Sequence, residues 1–166
     1  SRADSQALNL QCEPADLGDL AEATVARLAP WASEQDITLS VDADPDIALA
    51  LADPDRMEQV FVNLLDNASK FSQPGGLVTV TLKSRRDGMV LVQVQDEGVG
   101  IPAEALPHIG ERFYRADSAR SRAEGGSGLG LAIARALVEA HDGSLWVESV
   151  EGQGTVVVFA VPSAQS

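Results

Sequence analysis

Asn63 to Lys70 reads NLLDNASK, and it lies in the middle of a segment, Pro54 to Phe71, whose period decides the fold. At about 100° per residue, Met57, Val60, Phe61, Leu64, Leu65 and Ala68 share one stripe, which has to face a core. Arg56, Asn63, Asn67 and Lys70 fall on a second stripe along the edge of the first. Two asparagines and a lysine bordering a buried face are costly without partners. Amide oxygens are hard ligands suited to Mg²⁺, and an ammonium suits a phosphate. The same pattern also fits asparagines that merely solvate a helix flank.

Working outward, Pro54 opens this helix at its first turn, and Pro74-Gly75-Gly76 closes it. Upstream, Asp16 caps a helix expected over Asp16 to Glu34, with Pro30 and Trp31 near its end. Ile37 to Val41 alternates as a strand, and Ala48 to Ala52 is a short apolar strand. Downstream, Leu77 to Lys83 and Met89 to Gln95 alternate on either side of Arg86-Asp87-Gly88, a hairpin signal. Ser127 to Ala140 reads as a helix ended by Asp142-Gly143. Ser144 to Val150 and Gly154 to Val161 are terminal strands around Glu151-Gly152. Hairpin-linked strands with separate long helices predict a two-layer α/β (α+β) sandwich, a mixed, mostly antiparallel sheet covered on one face by helices.

Two further segments carry chemistry. On Met89 to Gln95, Val90, Val92 and Val94 share one face, and Asp96 of DEGVG continues it. A carboxylate leaving a strand on its core side needs a donor, which the amino group of an adenine would supply. Gly98 and Gly100 would let backbone approach a ring or phosphate; an ordinary Asp-Gly turn is the plainer account. GSGLGL, Gly126 to Leu131, is not a P-loop, because the only lysines are Lys70 and Lys83. It is not a dinucleotide fingerprint either, because no strand precedes it. What remains is a glycine loop at the start of an apolar helix, whose N–H groups and positive dipole end can receive phosphates; a C-cap or flexibility role for the glycines is the alternative account. Leu131, Ile133, Ala134, Leu137 and Val138 form that helix's packing stripe. The stretch before it is net positive in an acidic chain: Arg112, Arg115, Arg120 and Arg122 against Glu111, Asp117 and Glu124.

Composition bounds the function classes. In 166 residues, 45% apolar but only 4% aromatic, one core built mainly from Ala, Val and Leu is expected, in one domain. No apolar run approaches the roughly 20 residues of a membrane span. A single Cys12 leaves no internal disulfide and points to a reducing compartment. A net charge of −13 opposes binding to nucleic acid or to an anionic membrane.

Taken together these residues resemble the catalytic ATP-binding domain of bacterial sensor histidine kinases, in the superfamily of gyrase, heat-shock chaperone, histidine kinase and MutL ATPases (GHKL). The resemblance runs from about Glu13 to Pro162. MEQVFVNLLDNASKFS is similar to that family's N-box, DEGVGIP to its first glycine box, ERFYRADSARS to its F-box and lid, and GGSGLGLAIARALVEAHDG to its second glycine box. It implies the GHKL (Bergerat) ATP-binding fold, with ATP and Mg²⁺ as cofactors.

The site residues follow from the same resemblance. Asn67 would ligate Mg²⁺ with Asn63 supporting it, Lys70 would contact phosphate, and Phe71 would pack near the adenine. Asp96 would receive the adenine amino group, with Gly98 and Gly100 lining the base pocket. Arg115 would approach the γ-phosphate beside Phe113, and Gly126, Ser127, Gly128, Leu129 and Gly130 would close over the phosphates. Gly110 stands where the family usually has Phe. The stretch Ile109 to Gly125, short of apolar side chains, is expected to become ordered with MgATP.

No phosphoacceptor module is recognisable: only His108 and His141 exist, in the lid approach and at the end of the last helix. The chain therefore looks like the kinase half alone, residues 1–13 being the connection from a dimerisation/phosphoacceptor module. The resemblance implies a monomeric cytoplasmic domain of a parent anchored in the inner membrane, with that helical module and a response regulator as partners. Hydrolytic relatives carry a glutamate four residues before the metal asparagine; here that position is Asn63, which cannot accept a proton. Glu58 lies on the opposite side of the helix from Asn67. Phosphoryl transfer to a partner histidine is thus expected, the alternatives being an anti-sigma-type protein serine kinase or a regulatory module that binds nucleotide without transfer.

Overall fold

The computed structural model describes residues 9–97, 129–150 and 154–164. In chain order these form β1 (Glu13–Ala15), α1 (Leu17–Glu34), β2 (Thr38–Ala43), β3 (Ala50–Ala52), α2 (Pro54–Phe71), β4 (Leu77–Ser84), β5 (Met89–Gln95), α3 (Leu129–Ala140), β6 (Ser144–Val150) and β7 (Gly154–Pro162). Among the described residues five strands make one sheet in the order β2-β4-β5-β7-β6, and β1 pairs separately with β3. Only the β2–β4 pair of the large sheet is parallel; its other pairs are antiparallel. The expected mixed, mostly antiparallel sheet is what forms.

Each helix begins where its capping chemistry puts it. Asp16 accepts the N–H of Asp19 at 3.0 Å to start α1, and Asp53 accepts those of Asp55 and Arg56 to start α2, each side chain meeting N–H groups that have no partner within the helix. α1 continues through Pro30 to Glu34. α2 ends at Phe71, where Ser72 turns extended, and Gly75 takes a positive φ.

The alternation of the strands buries one face under the helices. Val78, Val80 and Leu82 of β4, Val90, Val92 and Val94 of β5, and Val157, Phe159 and Val161 of β7 join one core with Met57, Val60, Phe61, Leu64 and Leu65 of α2 and with Leu131, Ala134, Leu137 and Val138 of α3. Phe61 meets Phe159 edge-on, ring centroids 6.0 Å apart. A smaller apolar cluster, Leu91, Val158 and Ala160, lies apart from that core, with Trp146, Met89 and Val156 against it.

Element ends differ from the periodicity in places. β3 starts at Ala50 rather than Ala48, because its ladder partner β1 supplies only Glu13, Pro14 and Ala15. β1 itself carries no alternation signal and exists only through that pairing. Ile37 donates its N–H to Ala32 and so belongs to the exit turn of α1, while pairing with β4 carries β2 on to Ala43.

Candidate functional site

The two stripes of α2 separate as the spacing predicts. Met57, Val60, Phe61, Leu64, Leu65 and Ala68 are buried, whereas Asn63, Asn67 and Lys70 are half-buried on the flank. The flank is not merely solvated. Asn63 Nδ2 donates to the carbonyl of Gly130 in the first turn of α3, at 3.1 Å. That bond ties the metal-candidate helix to the helix that follows the glycine loop. With its N–H₂ engaged in this way, Asn63 can offer a cation only Oδ1. Asn67 lies one turn further along α2, half-buried on the same flank. Lys70 pairs with Asp66, one turn back, at 3.1 Å. Both are partly exposed, so the pair holds Lys70 loosely. Phe71, half-buried, is the last residue of α2.

Asp96 stands where the strand alternation sends it. Val90, Val92, Val94 and Asp96 all face the core, and Asp96 is 4% exposed. Its N–H donates to the carbonyl of Thr155 at 2.9 Å, and its Oδ1 accepts the N–H of Thr155 at 3.2 Å. Thr155, also buried, is a site residue that the motifs did not point to; the signal was available in its position opposite the end of β5. Gly154 makes the approach feasible. Its φ is +108°, and a Cβ there would lie 2.4 Å from the carbonyl oxygen of Asp96.

Gly130 and Leu129 open α3, whose first-turn N–H groups point out of its N-terminal end. Gly98, Gly100, Phe113, Arg115, Gly126, Ser127 and Gly128 lie outside the described residues, as do Gly110, His108 and the stretch 109–125.

His141 sits at the other end of α3, buried, with both ring nitrogens engaged. Nδ1 lies 2.7 Å from the carbonyl of Leu137, and Nε2 accepts the N–H of Asp53 at 3.1 Å. Since the amide fixes Nε2 as the acceptor, Nδ1 carries the proton. Although Asp142 follows it, this ring is a structural tie between α3 and the start of α2, not an exposed phosphoryl acceptor. Asp53 completes the tie by also accepting the N–H of Gln11 at 3.0 Å. Burial pushes the Asp53 carboxyl up, but the N–H groups of Gln11, Arg56 and Asp55 outweigh it and hold the group below the usual carboxylate range.

The residues fit a magnesium nucleotide. Among the described residues there is no cluster of three acidic, histidine or cysteine side chains that would cage a metal alone. Mg²⁺ keeps waters and phosphate oxygens and asks little of the protein, so one flanking amide such as that of Asn67 would suffice. No helix among the described residues is long and apolar enough to cross a membrane.

Comparison with known proteins agrees with this geometry. The family model described as histidine kinase-, DNA gyrase B-, and HSP90-like ATPase matches residues 52–165. The chain is 44% identical over 111 residues to the sensor histidine kinase WalK of Bacillus subtilis (strain 168), covering 66% of this chain and 18% of that protein. The chain thus spans about a fifth of that relative's length. Among solved structures it is similar to full-length ShkA in complex with AMPPNP (TM-score 0.82, 30% identity, 95% of this chain and 32% of that one). It also resembles the histidine kinase ThkA in complex with the response regulator TrrA (TM-score 0.76, 25% identity, 92% of this chain and 42% of that one).

Proposed function

Because the chain belongs to the family of histidine kinase-, DNA gyrase B- and HSP90-like ATPases, we propose that it holds MgATP and donates the γ-phosphoryl group to a histidine on a separate helical module. The observation that carries this reading is Asp96, a buried carboxylate at the end of an apolar strand with one oxygen held by Thr155. A carboxylate has lone pairs for more than one donor, and the adenine amino group is such a donor.

The residues then divide the work. Asp96 orients the base, and Asn67 contributes an amide oxygen to Mg²⁺. When bound, Mg²⁺ supplies charge neutralisation on the phosphate oxygens. Lys70 exchanges Asp66 for phosphate, a small change for a partly exposed pair. The first turn of α3, held against α2 by Asn63, turns its N–H groups toward the phosphates. Arg115, Phe113, Gly126, Ser127 and Gly128 keep the phosphate-side roles that the family resemblance gives them, and Gly98, Gly100 and Phe71 those beside the base. In the transfer itself an imidazole nitrogen attacks the γ-phosphorus, the bond to the β–γ bridging oxygen breaks, and ADP leaves. Positioning and charge neutralisation carry most of such a step. Asn63 in place of a carboxylate leaves no base there to activate water.

The partner is the dimerisation/phosphoacceptor module of a longer parent kinase, which places this domain on the cytoplasmic side beside a response regulator; the ThkA–TrrA complex supports such a partner. The test supplies that module in trans with radiolabelled ATP. Label should appear on its histidine only when this chain is present, and should vanish with Asp96→Asn. ATP binding without transfer to any such module would replace this reading with a regulatory one.

A further inference from the structure

Across the core face of the sheet, the strand register lines side chains up in lateral rows. Val92, Phe159 and Leu145 form one row, and Val94, Val157 and Val147 the next, all apolar. The following row is polar: Asp96, Thr155 and Ser149. Polar groups at the end of an apolar face are costly unless their bonds are made, and here they are linked in series. Ser149 Oγ donates to the carbonyl of Gly154 at 3.0 Å and lies 3.0 Å from Thr155 Oγ1. Thr155 in turn donates its N–H to Asp96 Oδ1.

Counting protons orients the row. A hydroxyl has one proton and two acceptor sites. The Ser149 proton goes to Gly154, so Ser149 Oγ receives the proton of the Thr155 hydroxyl. Thr155 Oγ1 is then an acceptor only, as is the carboxylate of Asp96 next to it.

We propose that Ser149 is a positioning residue for base recognition. By holding the Thr155 hydroxyl as an acceptor, it makes the end of the row an all-acceptor surface. Such a surface suits the exocyclic amino group of adenine and opposes the carbonyl that guanine carries at the same place. This inference rests on the reading of Asp96 as the base-orienting carboxylate.

Titration calorimetry on the 166-residue chain with Mg²⁺ and non-hydrolysable ATP and GTP analogues tests it. Ser149→Ala releases the Thr155 hydroxyl to turn and donate, so the preference for the ATP analogue should shrink by roughly three- to tenfold. Affinity for inorganic triphosphate should stay unchanged. Ser149→Thr, which restores a hydroxyl, should keep the wild-type preference. An unchanged preference in Ser149→Ala, or a Ser149→Thr variant as permissive as the alanine, overturns the proposal. Ser149→Cys, which keeps the volume with weaker hydrogen bonds, gives the same readout should the alanine variant not fold. Asp96→Asn separates the two levels. If it leaves ATP affinity intact, the base reading itself has failed. If it removes ATP binding while Ser149→Ala keeps its selectivity, only the role of Ser149 has failed.

Discussion

Asp53 and Asp96 both accept backbone N–H groups in buried surroundings, yet the first serves the fold and the second is the one proposed to meet the ligand. Asp53 accepts from Gln11, Asp55 and Arg56, so its charge is taken up by the start of α2. Asp53→Ala should cost about 1–2 kcal/mol at neutral pH, measured by denaturant unfolding. The folded pKa lies below the unfolded value of about 3.9. The charged form's contribution is therefore present above pH ~4 and is lost as pH falls through the folded pKa. The gap between wild type and Asp53→Ala should accordingly narrow in acid; a gap constant down to pH ~2 would show that the carboxylate charge contributes nothing. Asp96 is held by Thr155 at the end of a strand instead of capping a helix. Asp96→Asn should lower ATP affinity by roughly a hundredfold, the scale of a lost hydrogen bond to a charged group, with the circular dichroism spectrum unchanged. Undiminished affinity would remove the adenine assignment.

At the scale of elements, α2 joins the core to the site because its two stripes do different work. The inner stripe packs Phe61 on Phe159 and surrounds it with Met57, Val60, Leu64 and Leu65. Phe61→Ala should cost about 3–5 kcal/mol in chemical denaturation, because the close-packed sheet beneath cannot collapse into the space. A loss below about 1 kcal/mol would mean that the packing of α2 on the sheet is looser than the ring contact indicates. The outer stripe fixes α3. Asn63 holds Gly130 at one end, and at the other His141 joins the last turn of α3 to Asp53. α3 is thus tied to α2 at both ends, which keeps the turn behind the glycine loop in register with the metal-candidate amide.

For the molecule as a whole, neither Asn63 nor His141 among the described residues is placed to consume ATP bound at the proposed site. Asn63 stands where the hydrolytic relatives carry their base, and its amide is bonded to Gly130. His141 is buried with both nitrogens occupied. The isolated chain with MgATP should therefore release little phosphate and carry no acid-labile label on itself. Stable label on His141, or brisk turnover without a partner, would mean that the chemistry of this site has been assigned to the wrong groups.

What the sequence determined was whatever depends on a period or a cap. The bounds of α2, the burial of its inner stripe, the alternation of β5 and the core-side exit of Asp96 follow from 3.6-residue and two-residue repeats that any chain of this pattern must obey. Tertiary structure alone decided the pairings between distant segments. β1 has no pattern of its own and forms because β3 lies beside it. Asn63 could not be known to bond Gly130, 67 residues away, nor His141 to bond Asp53, 88 residues away. Thr155 and Ser149 reach Asp96 only through a register between strands, and register depends on how the whole core closes. Local repeats say which face of an element is buried; only packing says what that face meets.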